Sequence, residues 1–123
     1  MRGGLLKFLI IVAGNALALW LAFLYVPGFV LAGSWVQIAL VALILSLLNG
    51  FLKPILKLIL GPVIVLTLGI GILIINAVIL YVLPFIVNYI DFLRGTIIIQ
   101  DIPALVYTTL IVSAVNLIIH IVA

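Results

Sequence analysis

The chain has 123 residues, 70% of them hydrophobic and only 6% charged, which leaves room for one domain and excludes a water-soluble one. It has no cysteine and one histidine, His120, so disulfides, thiolate chemistry and most metal sites are excluded. The net charge of +3 comes from scattered cations set in apolar sequence. That arrangement lacks the basic stripe that neutralises several phosphates at once, so nucleic acid is not an expected partner.

A helix that crosses the hydrocarbon core of a bilayer needs about 20 mostly apolar residues. The first such run, 8–26, stops at Pro27-Gly28, and the second, 35–52, is closed by Lys53-Pro54. From Ile55 to Phe85 the sequence is almost continuously apolar, too long for one crossing, and is interrupted by Lys57, Gly61-Pro62 and Thr67-Leu68-Gly69. The third span is read as 69–87, with 54–66 as a helical segment lying at the interface or dipping partly into it. Pro54, Pro62 and Gly69 are the expected helix breaks here, as Pro27 and Gly28 are after the first span. The fourth span, 103–122, begins with Pro103, which suits a first helical turn. The expected fold is all-α: an integral membrane four-helix bundle with a broken or interfacial segment before the third span.

Arg2 and Lys7 ahead of an apolar run, with Ala16-Leu17-Ala18 after it, also suit a signal peptide. The run continues unbroken to Val26 and has a close copy later in the chain, so it is read as a retained span.

Lys and Arg in short loops orient membrane proteins. With four crossings, both termini and the 53–68 connection share one side, which holds Arg2, Lys7, Lys53 and Lys57. The other side holds only Arg94, beside Asp91 and Asp101. Both termini are therefore expected in the cytoplasm of a bacterial cell, with Tyr25, Trp35 and Tyr89 at the outer boundary. Lys53 and Lys57 lie four apart on one helical face, where contact with anionic headgroups is worth about 1 kcal/mol per cation.

Each span carries one asparagine. Asn15-Ala16 with Trp20 reappears as Asn76-Ala77 with Tyr81, offset by 61 positions, and Ser46-x-x-Asn49 reappears as Ser113-x-x-Asn116, offset by 67. Two-span units insert the same way up, so the expected relation between halves is a parallel repeat about the membrane normal. Small residues line the first two spans, at Gly14, Ala18 and Ala22, and at Ala39, Ala42, Ser46 and Gly50, where they let helices approach closely in lipid. An amide inside hydrocarbon needs a partner. Asn15, Asn49, Asn76 and Asn116, with Ser46 and Ser113, are therefore the candidate site. They serve either as interhelical hydrogen bonds, worth about 0.6 kcal/mol each, or as the polar lining of a pore or ligand cavity.

No charged residue lies deep in any proposed span, which argues against a voltage sensor and against ion-coupled transport. His120, near the carboxyl end, reads as an interfacial anchor. Asp91 and Asp101 have neither a nucleophile nor burial to work with and read as solvated loop residues. No enzyme activity, cofactor, metal or small-molecule substrate is expected. The bilayer and other copies of the chain are the expected partners.

The Asn-Ala run leading to Val26-Pro27-Gly28-Phe29, the junction Leu48-Asn49-x-x-Leu52-Lys53-Pro54, and Pro62-x-x-x-x-Thr67-Leu68-Gly69 before Asn76-Ala77 resemble the bacterial phage holin family, superfamily IV. The resemblance covers nearly the whole chain. It implies a four-helix inner-membrane protein that oligomerises and forms lesions. The second half departs from it: Leu83-Pro84-Phe85 stands in place of a second Pro-Gly-Phe, ahead of a longer outer segment. Two other readings compete, a structural or regulatory membrane protein such as an envelope scaffold and, more remotely, a small-solute carrier suggested by the repeat and the interruption at Gly61-Pro62.

Overall fold

Lipid offers no hydrogen bonds, so a spanning segment must satisfy its backbone internally, and helices do so. The computed structural model describes residues 2–67 and 70–122, without the side chains of Arg2, His120 and Val122. Its four helices are α1 (Arg2–Tyr25), α2 (Trp35–Leu66), α3 (Gly71–Tyr89) and α4 (Ile102–Val122). Each is long and apolar enough to cross a membrane. The fold is the expected all-α membrane bundle. The expected break at Gly69 and the placements of the Arg2 and His120 side chains lie outside the described residues.

Helix ends follow local chemistry. Pro27 and Gly28 terminate α1: Gly28 has φ +89°, a conformation that a Cβ resists, and its carbonyl accepts from the backbone N–H of Gln100 at 2.9 Å. Ser34 caps α2 reciprocally. Its hydroxyl accepts from the Gln37 backbone N–H at 3.3 Å, while its own N–H donates to Gln37 Oε1 at 2.8 Å. Asp101 precedes α4 and accepts from the Ala104 N–H at 2.8 Å.

The expected end of the second span at Leu52, and the expected breaks at Pro54 and Pro62, are not found. One helix of 32 residues runs through both prolines. Proline deletes one intrahelical hydrogen bond and crowds the preceding turn. The carbonyl freed by Pro54 belongs to Gly50, which is exposed and has no neighbour within 4 Å of a Cβ position. Gly61, ahead of Pro62, lacks the Cβ that makes a pre-proline residue avoid helix. Both proline rings are exposed, so neither disturbs a packed interface. A straight helix of this length would measure about 48 Å against roughly 30 Å of hydrocarbon. Its terminal residues Leu58, Val65 and Leu66 are 85%, 75% and 82% exposed. To keep that surface in lipid, α2 must tilt or bend.

The α2–α3 turn closes on Thr67. Its hydroxyl donates to the Val63 carbonyl at 2.7 Å and accepts from the Gly71 N–H at 2.9 Å. A Cβ on Gly71 would lie 3.0 Å from the Ile64 Cα, so the hairpin closes this tightly only with glycine there.

Helices α1 and α3 each pack against both α2 and α4, forming a ring in which α1 faces α3 diagonally. Leu19, Val41, Leu45, Ile75, Ile79, Leu80, Leu83 and Val112 fill its centre. A small ribbon that the sequence does not foreshadow closes one end of the bundle. Strands β1 (Phe29–Leu31) and β2 (Ile97–Ile99) pair antiparallel, with Val30 opposite Ile98 at the midpoint. Phe29, Leu31 and Ile97 point into the core. Gln37 Nε2 donates to the Phe92 carbonyl at 2.7 Å and ties the start of α2 to the 3₁₀ turn Asp91–Leu93. Tyr25, Trp35 and Tyr89 are exposed at this same end of the helices.

Candidate functional site

Asn15 of α1 is fully buried and its Nδ2 donates to Ser46 Oγ of α2 at 2.7 Å. The Ser46 hydroxyl in turn donates to the Ala42 carbonyl one turn back, at 2.8 Å. In the second half, Asn76 Nδ2 of α3 donates to Ser113 Oγ of α4 at 2.8 Å. Among the described residues these are the two side chain to side chain hydrogen bonds that join helices. Donor and acceptor are of the same types, in the same order, in both halves.

Neither amide is fully satisfied. Asn15 Oδ1 and Asn76 Oδ1 are buried without a hydrogen-bond partner, as is Thr108 Oγ1 of α4. A buried carbonyl left unmatched costs about 1–3 kcal/mol. The Asn–Ser pairs therefore hold the helices together while carrying a penalty at the same positions.

The other two asparagines do not join this pattern. Asn49 of α2 and Asn116 of α4 are half-buried and line a cleft of about 370 Å³ between α1, α2 and α4. Lys53, one turn beyond Asn49, lines the same cleft, with Phe8, Ile11 and Phe51 among its apolar walls. The small-residue stripe explains why it is open. Ala42 and Ser46 are buried in helix contacts, but Gly50, one turn on, has nothing packed against it. Lys7 and Lys57 are exposed.

The carboxylates do structural work at the ribbon end. Asp91 pairs with Arg94 at 3.0 Å, exposed, and Asp101 caps α4. Asn88 Oδ1 accepts from the Gly95 N–H at 3.0 Å and shapes the same loop. Asn88 and Gln37 also hold the fold together and carry no expectation from the sequence, although the Ser34-x-x-Gln37 capping spacing is legible there; Thr67 is marked there only as part of an interruption.

A family model described as mycobacterial 4 TMS phage holin, superfamily IV, matches residues 6–118. The chain belongs to that family. No curated protein and no solved structure matches it. The match takes in both Asn–Ser pairs, the ribbon and the polar residues of the cleft. Membership and four apolar helices make this a holin-like membrane protein. For such a protein the filled centre imposes a constraint: among the described residues, Leu19, Leu45, Ile79 and Leu83 are buried in the middle of the bundle.

Proposed function

We propose that this protein resides in the bacterial inner membrane with both termini in the cytoplasm, and that several copies assemble to permeabilise it. The observation that carries this reading is the pair of buried Asn–Ser bonds, each leaving a carbonyl unmatched. Since the centre of one chain is filled, a conduit forms only when helices from several copies separate and repack. Water reaching Asn15 and Asn76 then relieves two penalties of about 1–3 kcal/mol, which offsets part of the cost of opening an apolar core. The four inner-side cations support the orientation.

The two halves are read as a parallel repeat about an axis along the membrane normal. Three features support this. The Asn–Ser bond occurs once in each half. The contacts between halves, α1 with α4 and α2 with α3, correspond under a two-fold rotation. The ribbon is antiparallel and centred on Val30 and Ile98, 68 positions apart and within one position of the Ser-x-x-Asn offset.

Dye leakage from liposomes of rising protein density tests the permeability reading. Leakage should rise more steeply than linearly with density, and Asn15→Leu/Asn76→Leu should suppress it while keeping the helical circular dichroism spectrum. An absence of leakage at every density overturns the reading. The filled core also suits a scaffold that forms no pore, and stoichiometric capture of a different protein in mild detergent is the result that would favour that role.

A further inference from the structure

We propose that the cleft between α1, α2 and α4 binds the phosphate headgroup of an anionic phospholipid, with Lys53 as its charge partner and the amides of Asn49 and Asn116 as hydrogen-bond donors. Lys53 is half-buried at the cleft, and the chain's two carboxylates, Asp91 and Asp101, stand at the ribbon end of the helices. The nearest charged residue along its helix, Lys57, is another cation. A half-buried cation with no side-chain carboxylate beside it among the described residues calls for an anion from outside.

The amides point the same way. Asn15 and Asn76 commit their NH₂ groups to serine, whereas Asn49 and Asn116 form no side-chain hydrogen bond among the described residues and face the cleft from two helices. Asn49 and Lys53 are one turn apart on α2 and so share a face. The remaining walls are apolar, with Phe8, Ile11 and Phe51, and a free inorganic anion gains nothing from them. A lipid presents a phosphate and an acyl chain together, which matches a site polar on one wall and apolar on the others. A volume of about 370 Å³ accommodates the headgroup phosphate with its first methylenes. The inference rests on a membrane-embedded chain, and it is independent of pore formation.

Native mass spectrometry of the full chain, released from neutral detergent with phosphatidylglycerol or phosphatidylcholine added, reads occupancy directly. One phosphatidylglycerol should be retained at concentrations where phosphatidylcholine is not. Lys53→Gln should weaken retention about tenfold or more, as loss of a charge-assisted hydrogen bond does, Lys53→Arg should preserve most of it, and Asn49→Leu/Asn116→Leu should weaken it with helical content unchanged. Equal retention of the two lipids overturns the proposal. So does a loss in Lys57→Gln as large as in Lys53→Gln, which marks diffuse surface attraction, or displacement of the lipid by millimolar inorganic phosphate. Retention is read on the resting protein, so its failure and a failure of liposome leakage are separate results.

Discussion

Gly14 of α1 lies against Ile119 of α4: a Cβ there would overlap the Ile119 Cδ1 and sit 2.7 Å from its Cγ1, so the Ile119 side chain would have to turn aside. This contact sets how closely α1 and α4 approach at the end of the bundle away from the ribbon. Gly14→Val should destabilise the protein by about 1–3 kcal/mol through overpacking, and Gly14→Ala by less. Ile119→Ala should rescue Gly14→Val, giving a non-additive pair. Detergent-induced unfolding followed by circular dichroism measures all three. Additive losses would show that the two residues do not meet.

The two Asn–Ser bonds differ in what each serine keeps when its asparagine is replaced. Asn15→Leu keeps the branched shape in a somewhat larger side chain, gives up a bond of about 0.6 kcal/mol and removes an unmatched carbonyl. Removing a polar group whose partner stays satisfied is close to neutral, and Ser46 keeps its bond to Ala42. By that argument Asn15→Leu should match the parent in stability or exceed it by up to about 2 kcal/mol, whereas Asn76→Leu takes from Ser113 its one side-chain hydrogen bond among the described residues and should gain less. Asn15→Asp and Asn76→Asp, which place a carboxyl in the same sites, should each cost several times more, on the order of 3 kcal/mol. A large cost at one position and none at its counterpart would separate the two halves energetically.

The ribbon gives a test of register and of sidedness together. Paired residues of antiparallel strands have Cα atoms about 4.5 or 5.5 Å apart, inside the disulfide range of about 4.4–6.8 Å. The chain has no native cysteine to interfere. Val30→Cys/Ile98→Cys should therefore form a bond without added oxidant if this end faces the periplasm, which favours disulfides. Val30→Cys/Ile97→Cys should stay reduced, because Ile97 points to the other face of the ribbon. Thiol labelling on non-reducing gels distinguishes the outcomes, and a bond in the second pair would shift the register by one.

Some of this architecture was legible in the sequence because it depends on local composition. The four apolar runs give the four helices, and Pro27-Gly28 marks the end of α1. The Asn and Ser residues that pair could be named, but not their partners, since a hydrogen bond between residues 31 or 37 positions apart depends on how helices pack. Pro54 and Pro62 misled because their cost depends on surroundings: Gly50, Gly61 and an outward face make both tolerable inside α2. The ribbon was invisible for a related reason. Phe29–Leu31 and Ile97–Ile99 are three residues each and become strands only when the bundle brings the α1–α2 and α3–α4 loops together. The cleft was hidden in the same way, because Asn49 and Asn116 have the same residue type as the buried pair and differ only in what stands beside them.

The ribbon end also separates caps from surface charge. Ser34 closes a reciprocal capping box at α2, and Asp101 holds the first turn of α4. Ser34→Ala and Asp101→Ala should each cost about 1 kcal/mol, the usual value of an N-cap. Gln37→Ala should cost more than Ser34→Ala, because Gln37 both completes the box and holds the Phe92 carbonyl against α2. Asp91→Ala removes an ion pair whose partners are 67% and 91% exposed, and should change stability by less than about 1 kcal/mol. The expected order of unfolding midpoints is therefore Asp91→Ala nearest the parent, then Ser34→Ala and Asp101→Ala, then Gln37→Ala. Asp91→Ala falling below the caps would mean that the 91–94 turn, rather than the helix starts, secures the loop that carries β2.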